Sequence, residues 1–337
     1  MSAFLSLDPT LENYWRSVIL FGQNVASYKF ALAKSLIELS GSGTTSITLE
    51  QLAEPFSRNI VEHLENAPKQ ATSKSSKFLD ACKRFGSGEL GKDELIGQTA
   101  KHAFGDVIDR FHIVNGDDIP VQFYRDDRKT GGGITLTDDL FRLAERIQYG
   151  NLPHEVEARW RLVETAWELG VNRAALAIGV EGDLLVVNGN RRKALTGCRD
   201  ALNGYQKGKC FYCFDDIAID NTSPRLADVD HFIPRMMLQT GITLPLDGVW
   251  NLVLACRLCN RGVDGKSSRI PHPRLLERLD TRNEFFIGSH HPLRETLLAQ
   301  TGATRQQRTA YLKAVYRSSS ELLNKEWEPK SEYEPAF

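Results

Sequence analysis

The sequence predicts an α+β fold: a mostly helical N-terminal domain with a small strand-containing part, then a compact cysteine-framed module and C-terminal helices. Apolar residues recur at helical spacing in residues 11–40 and again after residue 292. Short runs rich in β-branched and aromatic residues lie between these regions. Two C-x-x-C pairs, at 210–213 and 256–259, enclose a segment too short to build a large core of its own.

The composition is that of an ordinary globular protein. The 337 residues are 41% apolar and 25% charged, and the net charge is −1, which is typical of a chain with two or three domains. No apolar run approaches the roughly 18–20 residues of a membrane span, and the N-terminus does not resemble a signal peptide. We therefore expect a cytoplasmic protein without a membrane partner. Because the net charge is near zero, any attraction to phosphate groups must come from local patches.

The N-terminal region is expected to be mainly helical. The first helical pattern covers residues 11–40. A second helix is predicted after Thr48 and is expected to be interrupted, or to start afresh, near Pro55. A third helix is expected to begin at Asp93, which is a suitable N-cap residue.

Short strands are expected next along the chain. The pattern favours strands at 111–114 and 121–124 around a turn, with a further strand near Ile134. Thr137 is placed to cap one helix, and Pro153 to start another. We predict four regions. Residues 1–180 form an N-terminal domain for sensing, DNA positioning or partner docking, and residues 185–275 form the cysteine-framed module. Residues 276–325 form a helical extension, and residues 326–337 form an exposed tail.

Four of the six cysteines suit a structural zinc site. They are Cys210, Cys213, Cys256 and Cys259. Thiolates are soft ligands, and four of them satisfy one Zn²⁺ with no open coordination position. In a chain expected in the cytoplasm, this spacing favours a metal over disulfides, and the metal would supply much of the folding energy of the module. Cys82 and Cys198 stand alone and are interpreted as small buried apolar residues.

The Asp230-His231 pair has the residue types that hydrolysis of a phosphodiester requires. A neutral histidine accepts the proton of an attacking water near physiological pH. An adjacent carboxylate can hold Mg²⁺ near the scissile phosphate and the leaving oxygen. By itself such a dipeptide is more often a hydrogen-bonded surface pair, and only its position between the two cysteine pairs favours the catalytic interpretation.

Two asparagines extend this set. Asn251 opens the stretch N-L-V-L-A-C, and Asn260 directly follows the last cysteine of the second pair. An amide oxygen can complete a hard-cation site without adding charge. A second amide can hold the backbone so that the histidine points at its water. Taken singly, each asparagine is more often a loop or helix cap.

As a set, these motifs resemble those of the HNH endonuclease family, also called ββα-metal or His-Me finger nucleases. The stretch D-H-F-I-P-R at 230–235 looks like the first strand motif of that family. N-L-V-L-A-C at 251–256 looks like its central Asn motif, and C-R-L-C-N-R-G at 256–262 looks like the start of its helix. The third position is Asn260 where the name-giving pattern has His, and an amide is compatible with cation binding. The resemblance covers residues 190–275.

The resemblance implies a fold and a chemistry. It implies that His231 is the general base and that Asp230 and Asn260 bind one catalytic Mg²⁺ (or Mn²⁺). Asn251 would orient the loop next to His231, and the four cysteines would bind zinc. The implied activity is hydrolysis of DNA phosphodiester bonds, with one active site nicking one strand. The expected biological setting is a bacterial defence or restriction system, with other proteins of that system as possible partners.

Basic residues around the motifs are expected to contact the nucleic-acid backbone. A locally basic stretch beginning at residue 191 is predicted to be a helix that leads into the first cysteine pair; a solvated helix face is the alternative. The phosphate contacts that we expect come from six residues, although surface solubility would explain each one singly. They are Arg192, Lys193, Arg235, Arg257, Arg261 and Lys266.

Two other functional hypotheses stay open at this point. A zinc-stapled nucleic-acid-binding module without catalysis would need the cysteines, but it leaves Asp230, His231, Asn251 and Asn260 unexplained. Alternatively, the nuclease is an effector that residues 1–180 regulate.

Overall fold

A computed structural model shows an α+β protein with helices at both ends of the chain and small sheets, mostly antiparallel. It divides into two compact units, Pro9–Gly170 and Met1–Asp8 with Val171–Phe337. The residues that the structure describes are 3–6, 8–22, 26–73, 75–168, 178–181, 184–187, 193–240, 246, 248–289, 292–323 and 325–337.

Helix α1 (Ala3–Ser6) groups with the second unit. The helices of the first unit are α2 (Leu11–Phe21), α3 (Tyr28–Ser40), α4 (Leu49–Leu64), α5 (Lys77–Gly86), α6 (Lys92–His102), α7 (Gly105–Arg110), α8 (Asp138–Ala144) and α9 (Leu152–Glu168). Its strands are β1 (Ser46–Thr48), β2 (Ile113–Val114), β3 (Asp117–Asp118), β4 (Tyr124–Asp127) and β5 (Gly133–Leu136). They form a β1-β5-β4 antiparallel sheet and a β2-β3 hairpin.

Several helix and strand boundaries in this unit differ from the predicted ones. The helical region 11–40 is two helices, and the first ends before Gly22, where the backbone turns to an extended conformation. The helix α6 starts one residue before Asp93, so Asp93 lies in its first turn and Gly91 is the N-cap. The strand expected at 121–124 begins only at Tyr124. The β2-β3 turn is Asn115-Gly116, and both residues have positive φ, as a type I′ hairpin requires.

The expected break at Pro55 was wrong. Helix α4 runs unbroken from Leu49 to Leu64 with Pro55 in its interior. A proline there costs about 3 kcal/mol. Two favourable features offset that cost. Thr48 and Gln51 form a complete capping box, and the helix buries Leu52, Phe56 and Ile60, all of which are 0% exposed.

The second unit carries the cysteine pairs. Its remaining helices are α10 (Cys198–Asn203), α11 (Arg257–Arg261), α12 (Arg274–Gly288), α13 (Pro292–Thr301) and α14 (Arg305–Leu322). Its strands are β6 (Ile178–Glu181), β7 (Leu184–Val187), β8 (Lys193–Gly197), β9 (Asp228–His231), β10 (Leu252–Ala255), β11 (Ile270–Pro271) and β12 (Glu326–Trp327). The sheets are β6-β7-β8, β10-β9 and the parallel pair β11-β12.

The basic stretch after residue 191 was expected to be a helix. Arg192 lies outside the described residues, as does the side chain of Lys193, whose backbone starts strand β8. The helix begins only at Cys198. A basic helix is therefore not what leads into the first cysteine pair: a strand and a short helix lie there.

The far edge of β10 is paired by buried side chains. Gln206 donates to the Leu254 carbonyl at 2.9 Å and accepts from its N–H at 2.8 Å, so its amide acts as a short strand. Arg282, fully buried in α12, donates to the Leu252 carbonyl at 2.6 Å. A two-stranded sheet is marginal alone, and these bonds, with the one that the Phe211 N–H donates to the Leu254 carbonyl at 2.9 Å, pair the backbone groups on this edge of β10.

The C-terminal tail at 326–337 is not exposed throughout, in contrast to the prediction. Trp327 packs edge-on against Tyr212 at 5.0 Å, and Phe337 packs on Phe211 and Phe214, the residues around the first cysteine pair. The backbone N–H of Tyr333 donates to the Cys213 carbonyl at 2.8 Å. Aromatic residues that are widely spaced in a charged segment form no helical or strand periodicity, so the sequence pattern does not indicate that they are buried.

Among the described helices, none combines the length and the apolar character that crossing a lipid bilayer requires.

Candidate functional site

The four paired cysteines converge on one point. Their Sγ atoms all lie within 4.8 Å of one another, and the Cys213 and Cys256 sulfurs are 3.8 Å apart. A tetrahedral zinc with Zn–S bonds of about 2.3 Å separates its sulfurs by about 3.8 Å. None of these cysteines forms a disulfide. The cluster could therefore hold one structural metal ion such as zinc.

Local backbone geometry presents the sulfurs. Around the first pair the chain makes a tight turn in which Phe214 has φ 61° and donates its N–H to the Cys210 carbonyl at 3.0 Å. At the second pair, Cys256 is the N-cap of α11, and its Sγ accepts from the Cys259 N–H at 3.5 Å. Contact with the Cys210 sulfur is the main cause that lowers the pKa of the Cys256 thiol. A thiolate at this position suits a metal ligand.

Strands β9 and β10 and helix α11 follow one another as a ββα unit. The two strands are antiparallel, and His231 pairs with Leu252, Asp230 with Val253 and Asp228 with Ala255. The second cysteine pair then links β10 directly to α11. Since side chains alternate along a strand, Asp228 and Asp230 share one face of the hairpin, and His231 is the last residue of β9.

Asn251 fastens the loop that follows His231. Its side chain is 0% exposed. The amide oxygen accepts from the Ile233 N–H at 2.8 Å, and the amide nitrogen donates to the carbonyls of Ile233 and Leu246 at 3.0 and 2.9 Å. The Asn251 carbonyl also accepts from the Phe232 N–H at 2.7 Å. The amide of Asn251 thus uses both of its N–H donors and one of its two oxygen lone pairs in bonds to the loop.

Asp230 is held from two sides. Lys266 Nζ lies 3.1 Å from both carboxylate oxygens, and the Tyr212 hydroxyl donates to Oδ2 at 2.6 Å. The carboxylate is only 9% exposed and the lysine side chain 0%. Burial lowers the pKa of Lys266, and the attraction of Asp230 opposes that effect. Burial, and then Asp230, raise the pKa of the Tyr212 hydroxyl, so tyrosine is the donor in this bond.

Lys266 reaches Asp230 because the chain folds back after α11. A Cβ on Gly265 would lie 2.7 Å from the Gly262 nitrogen, so only glycine allows this close approach. The Lys266 N–H then donates to the Cys259 carbonyl at 2.6 Å. The sequence placed Lys266 on a nucleic-acid surface, and the structure corrects that placement, because the ammonium is enclosed beneath the site.

Asn260, on helix α11, lies beside Asp228 of strand β9. Its Nδ2 donates to Asp228 Oδ2 at 3.2 Å, and Arg261 donates to Oδ1 at 2.8 Å. The Asp228 carboxylate is 13% exposed. Asp228, Asp230 and Asn260 together offer the oxygen atoms that Mg²⁺ prefers, so the donor chemistry fits a hard cation. The Asp230 carboxylate is already paired with the Lys266 ammonium.

The other predicted residues whose side chains the structure describes are half-buried or exposed. His231 is half-buried at the end of β9. Arg235, Arg257 and Arg261 are exposed. Sequence reasoning missed three other exposed side chains of this region, which are apolar. They are Met236, Leu258 and Val263, at 42%, 78% and 103% exposure.

Two polar residues of the site were also missed. Asp228 shares a strand face with Asp230, and the alternation in D-V-D was a usable signal for it. Tyr212 lies inside the first C-x-x-C pair, and the metal-ligand pattern there involves only the two cysteines. Its bond to Asp230 has no sequence signature, because it depends on how the two segments pack.

Comparison with known proteins found no match to a family model, a curated protein or a solved structure.

Proposed function

We propose that this chain hydrolyses phosphodiester bonds of DNA at the face formed by β9, the loop after His231 and α11. The observation that carries the proposal is the ββα unit: one antiparallel hairpin and the helix after it bring a histidine, two carboxylates and two asparagines into a single module. A purely structural zinc module needs none of these polar groups.

His231 is the general base of the proposed reaction. It ends β9, and its backbone pairs with Leu252 while the Asn251 side chain holds the loop that leaves it. A base whose neighbours are fixed on both sides keeps its direction toward an attacking water. Proton abstraction by a positioned histidine contributes about 10²–10⁴-fold to the rate.

Asp230 and Asn260 would hold the catalytic Mg²⁺ or Mn²⁺. When bound, such an ion supplies countercharge for the phosphorane-like transition state and for the leaving oxygen. The chain itself keeps these groups in place: Tyr212 and Lys266 orient the Asp230 carboxylate, and Asp228 holds Asn260. Arg257 and the exposed apolar residues Leu258 and Val263 lie on or just after α11. Cationic and apolar side chains together are typical of surfaces that grip a duplex.

The zinc proposed for the cysteine cluster has no chemical role. Four sulfur ligands leave no position for water or substrate. Its part is to tie the turn at Cys210–Cys213 to the start of α11, and thereby Tyr212 to the face that carries Asp230.

One observation favours a rival function, a DNA-binding module without catalysis. Both oxygens of Asp230 are bound by groups of the chain, as they would be in a carboxylate that only stabilises the fold.

A plasmid assay separates the two functions. Zinc-loaded protein is mixed with supercoiled DNA in the presence of Mg²⁺, of Mn²⁺, of Ca²⁺ or of no added divalent ion. Hydrolysis predicts open-circular product with Mg²⁺ or Mn²⁺ and none when the ion is omitted. Omission is preferable to a chelator, because a chelator also removes zinc. A retarded plasmid that stays supercoiled with both Mg²⁺ and Mn²⁺ would reject hydrolysis in favour of the binding module.

A further inference from the structure

We infer that Asp228 is a positioning residue that sets the orientation of the Asn260 amide, so that the Asn260 oxygen, and not its nitrogen, is available to a divalent cation. The inference rests on the proposed function and specifies how one ligand of that site is prepared. It assigns a role to a residue for which the sequence motifs suggested none.

The geometry of the pair is well defined. Asp228 is the first residue of β9 and pairs with Ala255, the last residue before the second cysteine pair. Helix α11 begins two residues later, which brings Asn260 over the strand. The amide nitrogen lies 3.2 Å from Asp228 Oδ2, and Arg261 binds the other carboxylate oxygen at 2.8 Å. With one oxygen bound by Arg261, the carboxylate presents the other to Asn260.

The chemistry of the pair decides which end of the amide faces the strand. An ionised carboxylate only accepts hydrogen bonds, whereas an asparagine amide has one end that donates and one end that accepts. An amide oxygen turned toward Asp228 would meet a like partial charge and make no bond. The nitrogen must therefore face Asp228, and the oxygen is turned away from it. A free asparagine has no such preference and presents either end.

Asp228 and Asp230 consequently have different roles on the same face of β9. Asp230 is bound by an ammonium and a hydroxyl, both of which are donors. Asp228 is bound by the amide of the other proposed ligand. Groups that orient a metal ligand in this way change metal affinity by about 10–100-fold when they are removed.

The test measures Mn²⁺ affinity of the full-length, zinc-loaded chain in the absence of DNA, from the paramagnetic resonance signal of free Mn²⁺. Asp228→Asn keeps the shape of the side chain but can bond to either end of the Asn260 amide. We expect it to weaken Mn²⁺ binding by about 10–100-fold. The control is Asp264→Asn, which removes the same charge from an exposed residue of the same unit, and it should leave the affinity within about twofold of wild type.

A swapped pair restores the charge and the hydrogen bond together. In the Asp228→Asn/Asn260→Asp double variant the amide on β9 donates to a carboxylate on α11, whose second oxygen is then free for the ion. This variant keeps the total charge, and it should bind Mn²⁺ at least about tenfold more tightly than Asp228→Asn. The inference is overturned if Asp228→Asn matches Asp264→Asn, or if the swap restores nothing. Should Asp228→Asn fail to retain zinc, the swap is compared with wild type, and Mn²⁺ binding more than about tenfold weaker than in wild type overturns the inference.

The outcome is separable from that of the proposed function. Plasmid nicking that survives loss of His231 would reject the function, whatever the Mn²⁺ affinities. Nicking that requires His231, together with unchanged Mn²⁺ affinity in Asp228→Asn, would reject the role of Asp228 alone.

Discussion

Lys266 and Asp230 form a buried ion pair whose two members depend on each other. The ammonium has no exposed surface, and the carboxylate is 9% exposed. Neither charge is stable in such a place without its partner, because desolvation alone costs several kcal/mol for each ion. Removing one partner therefore destabilises the fold, because it leaves the other charge buried and uncompensated.

We predict that Lys266→Met lowers the free energy of unfolding by about 3–5 kcal/mol, because it leaves Asp230 buried with only Tyr212 as a partner. Chemical denaturation of the zinc-loaded chain measures the loss. The matched control is Lys330→Met. The pair of Lys330 with Asp264 is solvent-exposed, so this variant should keep the free energy of unfolding of the wild type. Adding Asp230→Asn to Lys266→Met should recover part of the stability. A Lys266→Met protein as stable as the control would show that the pair is unimportant.

Asn251 makes a second prediction at this scale. Asn251→Ala leaves three buried backbone groups of the loop, at Ile233 and Leu246, without partners. Each such group costs about 1–3 kcal/mol, so we expect unfolding to become easier by at least about 2 kcal/mol and nicking to fall. Asn221→Ala, at an exposed position, is the control. Equal nicking by the two variants would contradict the orienting role proposed for Asn251.

Helices α4 and α9 of the first unit meet at a buried histidine. His63 Nδ1 lies 2.7 Å from Glu164 and Nε2 lies 3.2 Å from Glu157, while its ring stacks on Trp160 at 3.5 Å. Carboxylates only accept, so both ring nitrogens must donate and the ring is an imidazolium. Burial opposes this charge, but the hydrogen bonds to Glu157 and Glu164 outweigh it and raise the pKa of His63.

This raised pKa gives the first unit a pH dependence. A histidine in an unfolded chain has a pKa of about 6.5. The contribution of His63 to stability is therefore complete below that value and is lost as the pH rises through the higher pKa of the folded state. Hydrogen exchange of α4 and α9, corrected for its intrinsic pH dependence, should show protection that falls with rising pH in the wild type. His63→Gln should be less protected at low pH and should lack this fall.

His112 provides the control for the pH experiment. Burial lowers its pKa to about 4, so it stays neutral over the range in which His63 titrates. A His112→Phe protein should keep the pH dependence of the wild type above about pH 6.5, where His112 is neutral in both the folded and the unfolded chain. If His63→Gln keeps it as well, the titrating group lies elsewhere.

The sequence predicted some elements and missed others for physical reasons. The cysteine pairs, the helix starting near Pro153 and the end of the chain's first helical region follow local rules, whereas the strand around Asp230 was expected only from the resemblance of residues 230–235 to a family motif. The uninterrupted helix at Pro55 depends on burial of its apolar face. The positions of Lys266 and Tyr212 depend on a fold-back and on packing between distant segments. Local sequence patterns indicate neither the fold-back nor the packing. For that reason Lys266 was predicted to lie at the surface.

At the scale of the molecule, the two compact units should respond differently to loss of metal. Structural zinc sites contribute about 10–16 kcal/mol of apparent binding energy in small peptides. We expect one zinc per chain, and we expect a strong chelator to accelerate hydrogen exchange in β9, β10 and α11 while α3 and α4 stay protected. Cys256→Ser should lose the zinc, and Cys82→Ala, in the first unit, should keep it. Unchanged exchange of β9 and β10 after zinc removal would contradict the scaffold role.

The most direct test of the central claim is the rate of plasmid nicking by His231→Ala. Its control is His272→Ala, a half-buried histidine of the same unit, purified in parallel so that any contaminating nuclease is common to both. With Mg²⁺ present and zinc content matched, the proposed general base predicts a loss of about 10²–10⁴-fold for His231→Ala and wild-type nicking for His272→Ala. Equal nicking by wild type and His231→Ala would contradict the claim that this site cuts DNA.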